Sequence, residues 1–260
     1  MKTTLVSGAT GGIGQAVCAR LAAAGDRLIL SARSDDRLRD LAASLPPSSL
    51  GPHEWIAADM ADEASVSRLE TKLCTTGVSI DGLVLMPPQP HAANDAMPGN
   101  QVWRDLFQSS FIGPLQFLKL ALAHMAPDPS RGRRCKIVII SGISSAQVLS
   151  HYATSNVIRC AWLAEAKTLA FILGERGIHI NTLSLGGTLS DWYREGLEKR
   201  AAQNDATFEE RLADETSNVP LRKYGTPEEV AVAVEGLLSP FSDHMTGLNI
   251  LHDGGFTRAY

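Results

Sequence analysis

Ser7-Gly8-Ala9-Thr10-Gly11-Gly12-Ile13-Gly14 stands between an apolar run, Thr3 to Val6, and an amphipathic one, Gln15 to Ala24. The order is strand, glycine turn, helix. Glycines at 8, 12 and 14 permit a tight turn and bare the backbone for close approach. They also aim the unpaired N–H groups of a helix N-terminus at a ligand's negative charge. The stretch therefore predicts a dinucleotide cradle built from Gly8, Thr10, Gly12, Ile13 and Gly14, the flanking strand and helix separating it from an ordinary glycine-rich turn.

Working outward, short runs rich in Val, Ile and Leu alternate with segments of helical period. Further strands are expected at Arg27 to Ser31, His53 to Ala57, Gly82 to Met86, Lys136 to Ser141, Ile178 to Ser184 and Leu248 to His252. Helices are expected at Arg37 to Ser44, Glu63 to Thr75, Val102 to Met125, Tyr152 to Arg176 and Pro227 to Leu238. Strands too apolar to leave one face in water, separated by helices, predict α/β architecture: one doubly wound parallel seven-stranded sheet covered on both faces. Thr226-Pro227-Glu228-Glu229 reads as a helix start, with Thr as cap and Glu three residues on. The segment 190–224 interrupts the alternation. It is highly charged, places Trp192, Tyr193, Leu197, Phe208 and Leu212 at near-helical spacing, and follows the sixth strand, so it reads either as a substrate lid or as a solvated helical pair packing its own aromatics.

Composition narrows the partners. The chain has 260 residues, 44% hydrophobic and 20% charged, with net charge −4, enough to bury one core as a single domain over 1–260. No basic block interleaved with aromatics suggests nucleic acid. Cys18, Cys74, Cys135 and Cys160 show no CxxC spacing and the seven His no HExxH pattern, so reduced thiols and no catalytic metal are expected. Met1-Lys2 leads directly into the first strand, and no apolar run approaches the ~20 residues of a membrane span, so a cytoplasmic protein without membrane association is expected.

Several dispersed motifs together resemble the short-chain dehydrogenase/reductase family, especially its 3-oxoacyl-carrier-protein-reductase-like members, over essentially the whole chain. Gly8 to Gly14 is similar to the TGxxxGIG turn, Asp59-Met60 to the acidic-hydrophobic pair against adenine, and Tyr152-Ala153-Thr154-Ser155 to the start of YxxSK. Asn181 to Ser190 resembles NxVxPGxIxT, Pro220 to Val230 resembles PLxRxGxPEEVA, and Thr246 to Gly255 resembles the TGxxixVDGG end. The resemblance implies a Rossmann-type domain with a nicotinamide dinucleotide on the glycine turn, Asp59, Met60 and Ser190. It also implies a homotetramer or homodimer built on the two long helices flanking the fifth strand. About twenty residues past the glycine turn, where NAD-binding folds often put an acid on the ribose, stand Ala32 and Arg33. No carboxylate there repels a phosphate and a guanidinium can pair with one, so NADP(H) is favoured over NAD.

The resemblance further implies a proton-transfer set of Asn, Ser, Tyr and Lys, of which this chain keeps the Tyr. Asn156 stands where the Lys would fall, Ser110 at the Asn position, and Gly142 at the Ser position, with Ser141, Ser144 and Ser145 nearby; Leu85-Met86-Pro87-Pro88 replaces NNAG. A phenol, with ordinary pKa near 10, is a better proton source beside a cation. Arg159, seven residues past Tyr152, lies on the same helical face two turns along. The expected roles are Tyr152 as general acid/base, Arg159 as positive field, Asn156 on the ribose and Ser144 orienting the carbonyl oxygen; Arg159 capping a subunit contact is the alternative. Two functional readings follow: an NADP(H)-dependent oxidoreductase acting on a small-molecule carbonyl or acyl thioester, or the same fold doing non-redox chemistry or binding nucleotide without turnover.

Overall fold

The computed structural model describes residues 1–90 and 94–258. Its strands are β1 (Thr3–Val6), β2 (Arg27–Ala32), β3 (Glu54–Ala57), β4 (Gly82–Leu85), β5 (Cys135–Gly142), β6 (Ile178–Leu185) and β7 (Asn249–His252), each within one residue of its expected ends. They form one sheet in the order β3-β2-β1-β4-β5-β6-β7, all neighbours parallel. The chain starts mid-sheet at β1, runs outward to β3, then crosses to β4 and continues the other way. The strand order thus reverses between β1 and β4, the switch point beyond whose carboxyl ends ligands of such sheets bind.

Strand period sorts the core into two layers. Leu5, Ile29, Leu83, Ile137, Ile139 and Ile180 point to the face covered by α3 (Glu63–Thr76), α5 (Gly113–Ala123) and α6 (Ala153–Leu173), where Leu69, Phe117 and Trp162 are buried. Val6, Leu28, Leu30, Val84, Val138 and Leu183 point to the face covered by α1 (Gly12–Ala23), α2 (Asp35–Ser44) and α9 (Pro227–Leu238), meeting Val17, Leu21, Leu38 and Val234. Both faces are thus dry, which is why the strands carry no polar stripe. Thr226 caps α9 as expected: its side chain accepts from the Glu229 N–H, and Glu229 accepts from the Thr226 N–H.

One expected helix is broken. Val102 to Met125 folds as α4 (Asn100–Phe107), a π-helical turn at Gln108–Ile112, and α5. Two residues account for the break. Pro114 has no N–H to give the Ser110 carbonyl one turn back, and the Trp162 indole N–H takes that carbonyl instead at 2.8 Å. Gly113 lies so close to the β3–α3 loop that a Cβ there would stand 1.6 Å from the Met60 carbonyl oxygen. The expected helix from Tyr152 to Arg176 is α6 plus a 3-10 turn at Gly174–Arg176, with Tyr152 as its N-cap residue.

The 190–224 segment forms α7 (Asp191–Ala202) and α8 (Phe208–Glu215). It is tied to the body at the Thr188–Gly225 bridge, where Leu189 N–H donates to Gly225 and Gly225 N–H to Gly187, and again where Leu221 N–H donates to Gly254. Glu215 is its hub: the carboxylate accepts from Tyr193, Tyr224, Arg200 and Arg211 at 3.0 to 3.2 Å. Tyr193 therefore faces Tyr224 edge-on inside the segment, and Trp192 is 78% exposed.

Candidate active site

The glycine turn is shaped for backbone approach. Gly8 has φ +61°, and Gly11 N–H closes the turn on the Gly8 carbonyl. A Cβ on Gly14 would stand 2.1 Å from the Gly8 carbonyl oxygen, and one on Gly12 would stand 3.2 Å from the Ser190 side chain. Glycine at 14 is what lets α1 begin directly against the turn. The Thr10 carbonyl accepts from Gln15 and from Arg37, whose guanidinium reaches it at 2.7 Å. A concavity of about 290 Å³ lies there, lined by Thr10, Gln15, Arg37, Asp40, Leu41 and Ser44.

The other expected cofactor residues fall on loops at the same edge of the sheet. Arg33 follows β2, exposed and without a partner among the described residues. Asp59 follows β3 with its carboxylate held by the Ala61 N–H, and its own N–H donates to Ser65. Met60 is buried against α5. Ser190 precedes α7 and packs on Gly12. Ile13 and Met86 pack on the core between them, Met86 covering Gly8.

The catalytic candidates gather beyond β5. The Arg159 guanidinium stands 5.2 Å from the centre of the Tyr152 ring. Its Nε donates to Gln89 at 3.1 Å and one terminal nitrogen donates to the Ser144 hydroxyl at 2.9 Å. Ser144 is 2% exposed. Arg159 is partly buried and has no carboxylate partner among the described residues; burial lowers its pKa from the ordinary guanidinium value and the Tyr152 phenol opposes that shift. Within the chain its guanidinium meets Tyr152, Gln89 and Ser144.

Asn156 spends its amide on the loop before α6, Nδ2 donating to the Leu149 carbonyl at 3.1 Å, while Oδ1 is buried without a partner among the described residues. Ser110 is buried in the π-helical turn, its carbonyl taken by Trp162. Ser145 bonds Ser184, and His151 stacks beside Tyr152 at 4.5 Å.

Sequence reasoning missed Gln89, Arg37 and the meaning of Gly142. A Cβ on Gly142 would stand 2.5 Å from the Arg159 guanidinium carbon and 2.7 and 2.9 Å from two of its nitrogens. The guanidinium fills the room that a side chain at 142 would take.

Known proteins agree with this architecture. A family model described as enoyl-(acyl carrier protein) reductase matches residues 8–257. A putative ketoacyl reductase 2 of the granaticin polyketide synthase from Streptomyces violaceoruber is 31% identical over 255 residues, covering 96% of this chain and 94% of the relative. The 3-oxoacyl-[acyl-carrier-protein] reductase of Rickettsia conorii is 26% identical, with 98% and 96% covered. The chain belongs to the short-chain dehydrogenase/reductase family of oxidoreductases. Among solved structures, L-sorbose reductase from Gluconobacter frateurii, complexed with NADPH and L-sorbose, aligns with TM-score 0.88 at 22% identity, covering 100% and 97% of the chains. An NADPH-bound short-chain oxidoreductase from Pseudomonas aeruginosa, described as containing an atypical catalytic center, aligns with TM-score 0.84 at 23% identity, covering 100% and 98%.

Proposed function

We propose that the protein is an NADP(H)-dependent oxidoreductase interconverting a carbonyl group and its alcohol on a small-molecule or acyl-thioester substrate, with Tyr152 as general acid and base. The observation that carries this reading is the Arg159 guanidinium 5.2 Å from the Tyr152 ring at the ligand-binding edge of the sheet. Two features of the chain fit a nicotinamide dinucleotide: the backbone cradle at Gly12 and Gly14, and the orphaned acceptor Asn156 Oδ1, which a ribose hydroxyl would satisfy. When bound, the nicotinamide supplies or takes up a hydride at the substrate carbon. Arg33, exposed and unpaired among the described residues, supports the phosphorylated form through charge-assisted bonds to the 2′-phosphate. Asp59, Met60 and Ser190 would border the same dinucleotide.

In reduction, the Tyr152 hydroxyl gives its proton to the substrate oxygen and recovers one from water; oxidation runs the transfer backward. The cation over the ring favours the negative charge left on the phenol oxygen. Asn156, by bonding Leu149, fixes the turn that presents Tyr152. The 190–224 segment, hinged at Thr188–Gly225, closes as the lid. Ile112, Val157 and Phe171, exposed on α6 and the π-helical turn before α5, support a homodimer or homotetramer joined through these helices.

The test is to mix the protein with NADPH and a panel of 3-oxoacyl thioesters, small ketones and quinones and to follow nicotinamide absorbance. Consumption above background is expected. Saturable NADPH binding without consumption by any member would replace this reading with non-redox chemistry or binding without turnover.

A further inference from the structure

Gly142 and Arg159 lie seventeen positions apart in sequence and share one volume. The guanidinium carbon occupies a point 2.5 Å from where a Cβ on Gly142 would be, so any side chain at 142 would have to displace it. Gly142 ends β5, on the strand edge that faces Tyr152's helix, and the resemblance puts a hydroxyl donor at that position. The guanidinium is not loosely placed there. Gln89, from the loop after β4, holds Nε, and Ser144, from the turn after β5, holds one terminal nitrogen. The second terminal nitrogen has no partner among the described residues, and no carboxylate neutralises the group. A partly buried cation is thus fixed by two neutral oxygens, with one nitrogen left to donate. It is what a preorganised donor to a developing oxyanion requires.

We infer that Arg159 does the work of the side chain missing at 142: its free guanidinium nitrogen donates to the reacting oxygen of the substrate, while Gln89 and Ser144 act as positioning residues. This rests on the reductase reading above. It moves Ser144 from orienting the carbonyl to orienting Arg159, and makes the glycine at 142 a requirement of the arginine rather than a lost catalytic group. A full positive charge at that place, instead of a hydroxyl, favours the alkoxide-like oxygen that develops as hydride reaches the carbonyl carbon.

The test compares kcat, KM and NADPH dissociation constants for the wild type and four variants, with the crystal structure of Gly142→Ala as a readout independent of turnover. Arg159→Ala should lower kcat by about 100-fold or more with NADPH affinity within about twofold. Arg159→Lys should not restore it, because an ammonium lacks the planar fork that Gln89 and Ser144 hold. Gly142→Ala should show the guanidinium displaced and mimic Arg159→Ala. Should that variant fold poorly, Gln89→Ala serves in its place, lowering kcat about tenfold without adding bulk. The double variant Gly142→Ser with Arg159→Ala should regain about tenfold over Arg159→Ala by returning a hydroxyl to the vacated space. Wild-type kcat retained in Arg159→Ala, or a loss confined to NADPH affinity, would overturn the inference while leaving the reductase reading intact. A wild type inert toward every carbonyl would overturn both.

Discussion

Tyr152 has a guanidinium beside its ring and, one helical turn on, the Asn156 amide. Tyr152→Phe removes the one proposed proton donor and should lower kcat by about 100-fold to 10,000-fold with NADPH affinity unchanged, measured by steady-state kinetics beside a binding titration. Turnover at the wild-type rate would remove Tyr152 from the mechanism. Arg33→Ala should weaken NADPH binding by about tenfold or more and leave NADH binding unaltered, since a charge-assisted bond to phosphate is worth about 1.5–3 kcal/mol. Equal loss for both nucleotides would place Arg33 away from the 2′-phosphate. Arg33 and Arg159 could be singled out from sequence because each follows from local spacing: Arg33 from its distance past a glycine turn, Arg159 from helical period. Gly142 and Gln89 were not, because their meaning is a tertiary contact with a side chain seventeen and seventy residues away.

At the scale of elements, strand positions and the α9 cap were legible and the break in the long helix before β5 was not. Its apolar period runs on through Gly113 and Pro114, and only packing shows that Trp162 takes the carbonyl left by Pro114. The α9 cap, read from Thr226-Pro227-Glu228-Glu229, is local and was found whole. Thr226→Ala should cost about 1 kcal/mol, lowering Tm by about 2–4 °C for a chain of this size, as calorimetry would measure. The α7–α8 pair makes a pH-dependent prediction. Burial raises the pKa of the Glu215 carboxyl, but hydrogen bonds and charge from Arg200, with Tyr193 and Arg211, outweigh it and hold the group below its ordinary value. A depressed folded pKa stabilises the segment above the ordinary carboxylate range, and that stabilisation is lost as pH falls through the folded value. Amide exchange across 190–224, corrected for its intrinsic pH dependence, should lose protection below about pH 4 ahead of the sheet. Glu215→Gln should show the same loss already at neutral pH. Uniform protection in both would remove Glu215 as the hub.

At the scale of the molecule, seven parallel strands bring the candidate residues to one sheet edge: the glycine turn after β1, Arg33 after β2, Asp59 and Met60 after β3, Gln89 after β4, Ser144 and Tyr152 after β5 with Asn156 and Arg159 on the first turns of α6, and Ser190 after β6. That convergence follows from parallel topology and was legible from the βα alternation alone; how the loops meet was not, since loops carry no period. Phe171, 81% exposed on α6, marks the proposed subunit contact, and Phe171→Asp should shift the mass found by light scattering toward the monomer. The claim beneath all of this is that a nicotinamide dinucleotide phosphate lies across the N-terminus of α1. Calorimetric titration of the wild-type protein with NADPH and with NADH tests it most directly. Saturable binding of NADPH, about tenfold or more tighter than NADH, is the predicted result; no saturable heat with either nucleotide would contradict it.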